Sequence, residues 1–216
     1  MYKFIFILLF IPIPSLAAIE IEVGQTSFMP QQDGVWYQNQ FPHDLDLSSP
    51  SFSIGFTDKF NPWLRWHTGY SYLGKVTTYA LAVPSDDLYF QHGANADEYI
   101  PVAHWYGEGY VQQLYFTLAP EAKISNFILA FEGGFTLYRP SWEIYIPDLR
   151  YCNECPYETW HQKHDPQLQL GRTFGVSIKY KKTSLVFRLT SVAAEGDQWP
   201  AIYDGNAKNI SIRYEF

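Results

Sequence analysis

Two cysteines and two histidines lie close together in the chain and could carry redox or metal chemistry. Cys152 and Cys155 are the only cysteines, and His161 and His164 follow them closely. In an oxidising compartment such a pair predicts a local disulfide that stiffens a loop. The alternative is a Cys/His metal cluster, although zinc fingers separate their two ligand pairs by about 12–15 residues. We therefore predict a Cys152–Cys155 disulfide, with no metal site and no cofactor.

A second group of residues has the side chains of acid–base or acyl-transfer chemistry. His67 lies two residues from Arg65, and the sequences His43-Asp44 and Ser85-Asp86-Asp87 lie in polar segments. A histidine on the polar face of a strand usually joins a hydrogen-bond network. Asp and Ser in loops usually stabilise turns. These residue types also occur in enzymes that modify lipid A, but their local sequence differs here, so no catalytic residue is predicted.

Acidic and aromatic residues concentrate in four polar segments, residues 27–49, 77–107, 139–165 and 194–205. Together these segments contain 15 Asp and Glu against three Lys and Arg, a net charge of about −12, compared with −7 for the whole chain. Such a surface could recognise a basic protein, a cation or a glycan. It would repel the phosphates of nucleic acid, so no nucleic-acid partner is expected. The candidate binding residues are Asp44, Asp46, Asp86, Asp87, Asp97, Glu98, Trp36, Trp105, Trp142 and Trp160.

Eight segments that alternate apolar and polar residues must hold these polar segments in place. A period of two predicts a β-strand with one apolar and one polar face. The predicted strands lie near 18–26, 50–57, 62–76, 108–119, 124–138, 166–180, 183–193 and the last seven residues. The connections 58–61, 120–123 and 181–182 are short, and they alternate with the four long polar segments. Short turns opposite long loops are typical of outer-membrane β-barrels.

Charge indicates which face of each strand points inward. The polar faces carry balanced charge, at Glu20, Glu22, Arg65, Glu132, Lys179, Arg188, Arg213 and Glu215. Balanced ions suit a closed interior where each finds a partner, and eight strands leave room only for side chains. We therefore predict an interior charge network and a plugged barrel. The alternative is a soluble lipocalin-type barrel, which points its apolar face inward.

Arg172 is an exception, because strict alternation puts it on the apolar face between Leu170 and Phe174. An arginine that faces lipid at mid-depth costs about 2–4 kcal/mol, and less near the interface. We expect its side chain to extend outward to the phosphates of lipopolysaccharide. The alternative is a bulge at Gly171 that turns it inward.

Both ends of the chain indicate export to a membrane. Lys3, the apolar run 4–13 and Ser15-Leu16-Ala17 predict a signal peptide over residues 1–17. The remaining residues, 18–216, suit one all-β domain. The final strand places Ile210, Ile212, Tyr214 and Phe216 on one face, and the chain stops on the aromatic.

The leader, the eight-strand rhythm and the terminal Phe216 together resemble the small OmpA/OmpX-like barrels of bacterial outer membranes. This resemblance implies an all-β, up-and-down, eight-stranded antiparallel transmembrane barrel in the outer membrane of a Gram-negative cell. It implies a monomer whose partners are membrane lipid, lipopolysaccharide and the outer-membrane assembly machinery. In such barrels the terminal aromatic serves as an assembly signal.

The resemblance is specific for fold and location, so function must be argued from the loops. Our first interpretation is a non-enzymatic surface protein whose acidic, aromatic-rich extracellular loops serve surface interaction or adhesion. One alternative is a lipid A-modifying enzyme, either an acyltransferase or a deacylase. Another is a narrow channel for small hydrophobic solutes.

Overall fold

A computed structural model describes residues 17–30, 43–82, 103–149, 156–164, 167–192 and 203–216. Within these ranges the chain forms ten β-strands and no helix that is long and apolar enough to span a membrane. The strands are β1 (Ala18–Pro30), β2 (His43–Asp46), β3 (Ser48–Asn61), β4 (Leu64–Ala82), β5 (Ala103–Ile124), β6 (Phe127–Leu149), β7 (Glu158–His164), β8 (Gln169–Tyr180), β9 (Thr183–Ser191) and β10 (Tyr203–Glu215).

Eight of the described strands close into a ring in the order β1-β3-β4-β5-β6-β8-β9-β10. Every neighbouring pair in the ring is antiparallel, and β10 returns to β1 with Tyr214 opposite Ile21. The predicted eight-stranded up-and-down barrel is therefore confirmed. Tight turns at 62–63, 125–126 and 181–182 lie at one end of the ring, which we call the turn end. The opposite end is the loop end.

The apolar face of each ring strand points out of the barrel over the half nearest the turn end. Val23, Ile54, Phe131 and Phe187 are exposed, whereas the residues that alternate with them are buried. A continuous exposed band of large apolar side chains is unfavourable in water but matches the hydrocarbon core of a bilayer. The lipocalin-type alternative, with its apolar face inward, is therefore wrong.

The sequence-based strand limits were too short at the loop end. Residues 77–82, 103–107 and 139–149 were predicted as loop but extend β4, β5 and β6. Beyond the exposed apolar band, the apolar residues move to the inner face, at Val76, Val111 and Ile144. This exchange of faces interrupts the alternation of apolar and polar residues from which the strands were predicted.

Two of the predicted turns are also displaced. Residues 120–123 belong to β5, and the turn falls at Ser125, whose φ is 57°, and Asn126. The first turn is at residues 62–63, just after the predicted 58–61. The Lys181-Lys182 turn is correct.

At the loop end, the extended strands form an open sheet in the order β2-β4-β5-β6-β7, which we call the loop-end sheet. The strand β2 pairs with β4 beyond the end of the β3 ladder, and β7 does the same on β6 beyond β8. A bulge between Tyr72 and Gly74 lets β4 change its face, and Gly74 accepts a φ of 106° because it has no Cβ. The sheet therefore projects past the apolar band.

Candidate functional site

Seven buried polar side chains meet inside the membrane-level half of the barrel. We call them the ionic cluster, and they are Glu20, Glu22, His67, Tyr115, Glu132, Arg188 and Arg213. They come from β1, β4, β5, β6, β9 and β10. Strand alternation brings them together, since each occupies an inward position at a similar height in the ring.

Arg213 connects the three carboxylates of this cluster. Its Nε donates to Glu22 Oε2 at 3.0 Å, while Nη1 and Nη2 donate to the two Glu132 oxygens at 2.8 and 2.9 Å. The same Nε lies 3.7 Å from Glu20 Oε2. The fork-shaped guanidinium thus forms a bidentate pair with Glu132, the geometry in which arginine binds carboxylates most strongly.

Arg188 holds the other side of the same carboxylates. It donates to Glu22 Oε1 and Oε2 at 3.0 and 3.3 Å and to Glu132 Oε2 at 3.0 Å. The Ser211 hydroxyl adds a hydrogen bond to Glu22 Oε1 at 2.6 Å. The Arg188 guanidinium also lies 5.6 Å from the centre of the Tyr115 ring, within the range of a cation–π contact.

Two side chains, Tyr115 and His67, hold Glu20, and the sequence did not predict either contact. The Tyr115 hydroxyl donates to Glu20 Oε1 at 3.1 Å, and His67 Nδ1 lies 2.8 Å from Glu20 Oε2. Tyr115 reaches this position across a facing pair of glycines, Gly55 and Gly69. A Cβ at either glycine would lie within 2.8 Å of the Tyr115 hydroxyl oxygen. The glycine pair therefore makes room for the tyrosine.

A second group of charges fills the turn end and is called the turn-end cluster. It consists of Lys59, Arg65, Glu121, Lys179 and Glu215. Arg65 donates through Nε to Glu121 at 2.7 Å and also pairs with Glu215, which in turn pairs with Lys179. A cavity of about 10 Å³ borders this cluster, enough for roughly one water molecule.

The structure brings together all seven predicted interior charges, in two clusters rather than one. The ionic cluster contains five of them, Glu20, Glu22, Glu132, Arg188 and Arg213. The turn-end cluster contains the other two, Arg65 and Glu215. Lys59 and Glu121 were missed because they had been assigned to turns. Tyr115 was missed because an aromatic residue on a polar face gives no signal of a charged partner.

Above the ionic cluster the barrel interior changes to apolar side chains. We call these the apolar cluster, and they are Phe28, Leu73, Val76, Val111, Tyr138, Trp142, Ile144, Ile146, Val192 and Ala207. Trp142 was predicted as a loop-surface residue, but its side chain is only 2% exposed and packs here. Trp160 of β7, also a surface candidate, packs partly buried against the same cluster.

The other predicted loop residues are placed only in part. Asp46 ends β2, is exposed, and accepts a hydrogen bond from the Ser48 amide at 3.0 Å. Asp44 and Trp105 lie in β2 and β5 by their backbone. Outside the described residues lie Trp36, Asp86, Asp87, Asp97, Glu98, Cys152 and Cys155, so the disulfide stays a prediction. The described part of the chain contains no cluster of three potential metal ligands.

The outer face of the loop-end sheet carries two parallel rows of side chains. The first, the tyrosine row, places Tyr79, Tyr106, Tyr145 and His161 directly opposite one another on β4 to β7. The second, the carboxylate row, lies two residues nearer the membrane and consists of Asp46, Thr77, Glu108, Glu143 and Lys163. Sequence reasoning missed both rows because they depend on register between distant strands.

Arg172 faces outward, as predicted. Strands β6 and β8 pair continuously through Phe135 and Arg172, and the residues on either side of Arg172 in β8 are buried. Its neighbours on the outer face, Leu170 and Phe174, are both exposed. The alternative of a bulge at Gly171 is therefore wrong.

An exposed apolar band around a closed eight-stranded ring defines an integral membrane barrel. The polar, filled interior and the turn and loop ends give it the architecture of the OmpA/OmpX-like eight-stranded barrels. Such single-chain barrels reside in the bacterial outer membrane, with short turns on the periplasmic side and longer connections on the extracellular side. The protein is thus an integral outer-membrane β-barrel.

The fold agrees with that of one of the solved structures to which the chain is similar. The crystal structure of Ail, the attachment invasion locus protein of Yersinia pestis, matches with a TM-score of 0.50 at 10% identity, covering 93% of this chain and 99% of Ail. Neisserial surface protein A (NspA) matches with a TM-score of 0.46 at 10% identity, covering 93% of this chain and 97% of that one. Ail has also been crystallised with the heparin analogue sucrose octasulfate, and that structure matches with a TM-score of 0.44 at 9% identity, covering 93% of this chain and 99% of that one. A scan of family models and a search of curated sequences found no match.

Proposed function

We propose that this barrel is a non-enzymatic surface protein that presents its loop end to molecules outside the cell, as in adhesion. The observation that carries the proposal is the loop-end sheet. Strands β5 and β6 have 22 and 23 residues, whereas a membrane strand needs only about 9–11. The extra length forms a sheet with its own apolar core, which gives a recognition surface a rigid support.

The filled interior supports this role over the two alternatives. The ionic cluster and the apolar cluster occupy successive levels of the barrel, which disfavours a channel for apolar solutes. His67 is buried against Glu20 inside the ring, where an acyl chain in the surrounding lipid does not reach it. This position does not suit catalysis on lipid A.

The charge of the loop end indicates the kind of partner. The segments 27–49, 77–107, 139–165 and 194–205 together carry about −12. This field attracts basic proteins and cations and repels polyanions such as sulfated glycans. A cationic partner is therefore favoured, and exposed charges of this kind are screened within about 8 Å at physiological ionic strength.

The proposal is tested by neutralising six loop-end carboxylates to Asn or Gln, at Asp44, Asp46, Asp86, Asp87, Asp97 and Glu98. Asn at position 46 keeps an oxygen that accepts the Ser48 amide. We expect folded, heat-modifiable protein in the outer membrane, with reduced attachment of cells to surfaces coated with a basic protein. Asp58→Asn at the turn end is the control and should leave attachment unchanged.

Three outcomes would contradict the proposal. The first is that cells with the wild-type barrel attach no better than cells that lack it. The second is that the six-fold variant attaches as well as wild type at low salt. The third is a mass spectrum that shows lipid A gaining or losing an acyl chain on expression, which would favour the enzyme.

The proposal also includes processing outside the described residues. Residues 1–17 are proposed to direct export and to be removed, which N-terminal sequencing of outer-membrane protein would test. The Cys152–Cys155 disulfide is proposed to stiffen an extracellular loop, so thiol labelling of intact cells should rise only after reduction.

A further inference from the structure

We propose that the outer face of the loop-end sheet is a docking surface for an extended, basic peptide segment of a partner protein. This inference rests on the proposed surface function and names its site and partner. The surface consists of the tyrosine row and the carboxylate row defined above.

The tyrosine row supplies the apolar contact of the proposed site. Tyr106 and Tyr145 face each other on β5 and β6 and are 45% and 44% exposed. The rings of Tyr79 and Tyr106 lie 5.2 Å apart with their planes at 46°. The rings of Tyr145 and His161 lie 6.1 Å apart at 79°. Tilted rings leave hollows between them, which suit the stems of lysine and arginine better than a flat sugar chain.

The row lies on an extramembrane part of the barrel, so its rings are not part of the membrane girdle. On β5 the lipid-facing residues end at Leu114, and Tyr106 lies eight residues further on. Eight residues of strand correspond to about 26 Å along the strand, or roughly 18 Å along the membrane normal at the tilt of about 45° usual for such strands. An exposed aromatic row at that height faces water, and aromatic residues are enriched at binding surfaces.

The carboxylate row supplies the charge of the proposed site. Glu108 and Glu143 face each other one pleat below Tyr106 and Tyr145, about 7 Å away along the strands. Glu108 pairs with Lys75, and Glu143 lies 3.7 Å from His161 Nε2. All four side chains are at least one-third exposed. Exposed ion pairs of this kind are weak, so a basic ligand can compete for the carboxylates.

The size of the surface sets the length of the ligand. Four adjacent strands carry the tyrosine row, and neighbouring strands lie about 4.8 Å apart, so the row spans roughly 14 Å. An extended peptide covers that distance in about five residues. The net charge of about −12 over the four polar segments of the sequence favours a basic ligand.

The test uses the purified full-length barrel in lipid nanodiscs and a fluorescent ten-residue peptide of alternating arginine and threonine. An equivalent peptide of glutamate and threonine is the probe for charge. We expect anisotropy to show binding of the basic peptide only. The double variant Tyr106→Thr, Tyr145→Thr should bind the basic peptide at least about tenfold more weakly at both low and high salt. The double variant Glu108→Gln, Glu143→Gln should weaken binding of the basic peptide at low salt only.

Matched controls separate the site from general charge and folding effects. Tyr180→Thr and Asp58→Asn remove a tyrosine and a carboxylate at the turn end and should leave binding within about twofold of wild type. If the tyrosine pair variant fails to fold, Thr77→Lys tests the same surface, because it adds a cation between Asp46 and Glu108. It should weaken binding of the basic peptide.

Equal binding of both peptides by wild type, or unchanged binding by the folded variants, would overturn the inference. The proposed function is judged separately by cell attachment. If cells attach through the wild-type barrel while the Tyr106 and Tyr145 variant attaches equally well, the surface role stands and this docking site is wrong.

Discussion

The membrane-level half of this barrel and the half at its loop end are filled with opposite kinds of side chain. At membrane level the outside is apolar and the interior holds the ionic cluster. Beyond the membrane the outside carries charged residues such as Glu108, Glu143 and Lys163 beside the tyrosine row, and the interior holds the apolar cluster. The same strands, β4, β5 and β6, pass through both regions.

The difference shows that the surrounding medium decides which face of a strand is apolar. In lipid the apolar face must point outward, which leaves polar groups inside that need partners. In water the apolar face turns inward, as in a soluble sheet. Buried ion pairs are weak evidence for stability, whereas removing one partner is strongly destabilising. We therefore expect the two halves to respond differently to mutation.

The largest effect is expected from breaking the ionic cluster at Arg213. Arg213→Ala removes the group that pairs with Glu22 and Glu132, leaving three buried carboxylates with one arginine. Removing one member of a buried pair typically costs about 3–5 kcal/mol. We expect little folded, heat-modifiable protein in the outer membrane and a lower midpoint of urea unfolding in vesicles.

Arg213→Lys is the matched variant for that experiment. It keeps the charge but loses the bidentate hydrogen bonds to Glu132, so its stability should fall between those of wild type and Arg213→Ala. An Arg213→Ala barrel as stable as wild type would show that the cluster is not what holds the membrane half together.

A local effect is expected from the apolar cluster of the other half. Trp142→Ala leaves a cavity among buried side chains and should cost about 3–5 kcal/mol of local stability. Because Trp142 lies beyond the membrane, we expect new protease cleavage in β6 and β7 while the membrane-level barrel stays intact. Trp66→Ala, on the outer face at membrane level, should give no extracellular cleavage. Loss of the whole barrel in Trp142→Ala would contradict the independence of the two halves.

The sequence could predict the membrane half because lipid imposes strict alternation there. Glu20, Glu22 and Arg213 could be assigned to the interior from period and charge alone. The division into two clusters could not be predicted, because Arg65 joins Glu121 through a register between β4 and β5 that alternation does not specify. Register depends on long-range pairing, which a single sequence does not show.

The strands of the loop-end half could not be predicted for a related reason. Trp142 and Ile144 are spaced as strand residues, but they lie on the opposite face from Phe135 and Leu137. When only one apolar face is traced along the sequence, the strand therefore ends at that exchange. The exchange is itself a sequence signal, because it marks the height at which the strand leaves the bilayer.

A smaller effect is expected from the hydroxyl of Tyr115. Tyr115→Phe removes the hydrogen bond to Glu20 but keeps the ring over Gly55 and Gly69. Hydrogen bonds to charged groups contribute about 1.5–3 kcal/mol, so the free energy of unfolding should fall by about that amount. Tyr180 is exposed at the turn end, so Tyr180→Phe is the control and should change stability much less. Equal effects of the two variants would mean that the Glu20 contact contributes nothing.

The smallest effect is expected at Arg172, which tests the boundary between the two halves from the outside. The guanidinium lies on the lipid face beside Phe135, where arginine costs up to about 2–4 kcal/mol at mid-depth and about 0–1 kcal/mol near the interface. Arg172→Leu should therefore raise the free energy of unfolding slightly in phosphatidylcholine vesicles. In vesicles that contain lipopolysaccharide the gain should vanish or reverse, because its phosphates carry net negative charge that pairs with the wild-type guanidinium, whereas the phosphate of phosphatidylcholine is neutralised by choline. Arg172→Lys keeps a cation and should behave like wild type in both lipids. A gain of equal size in both lipids would show that Arg172 does not pair with lipopolysaccharide phosphate, and would place it deeper in the bilayer than the exchange of faces on β6 indicates.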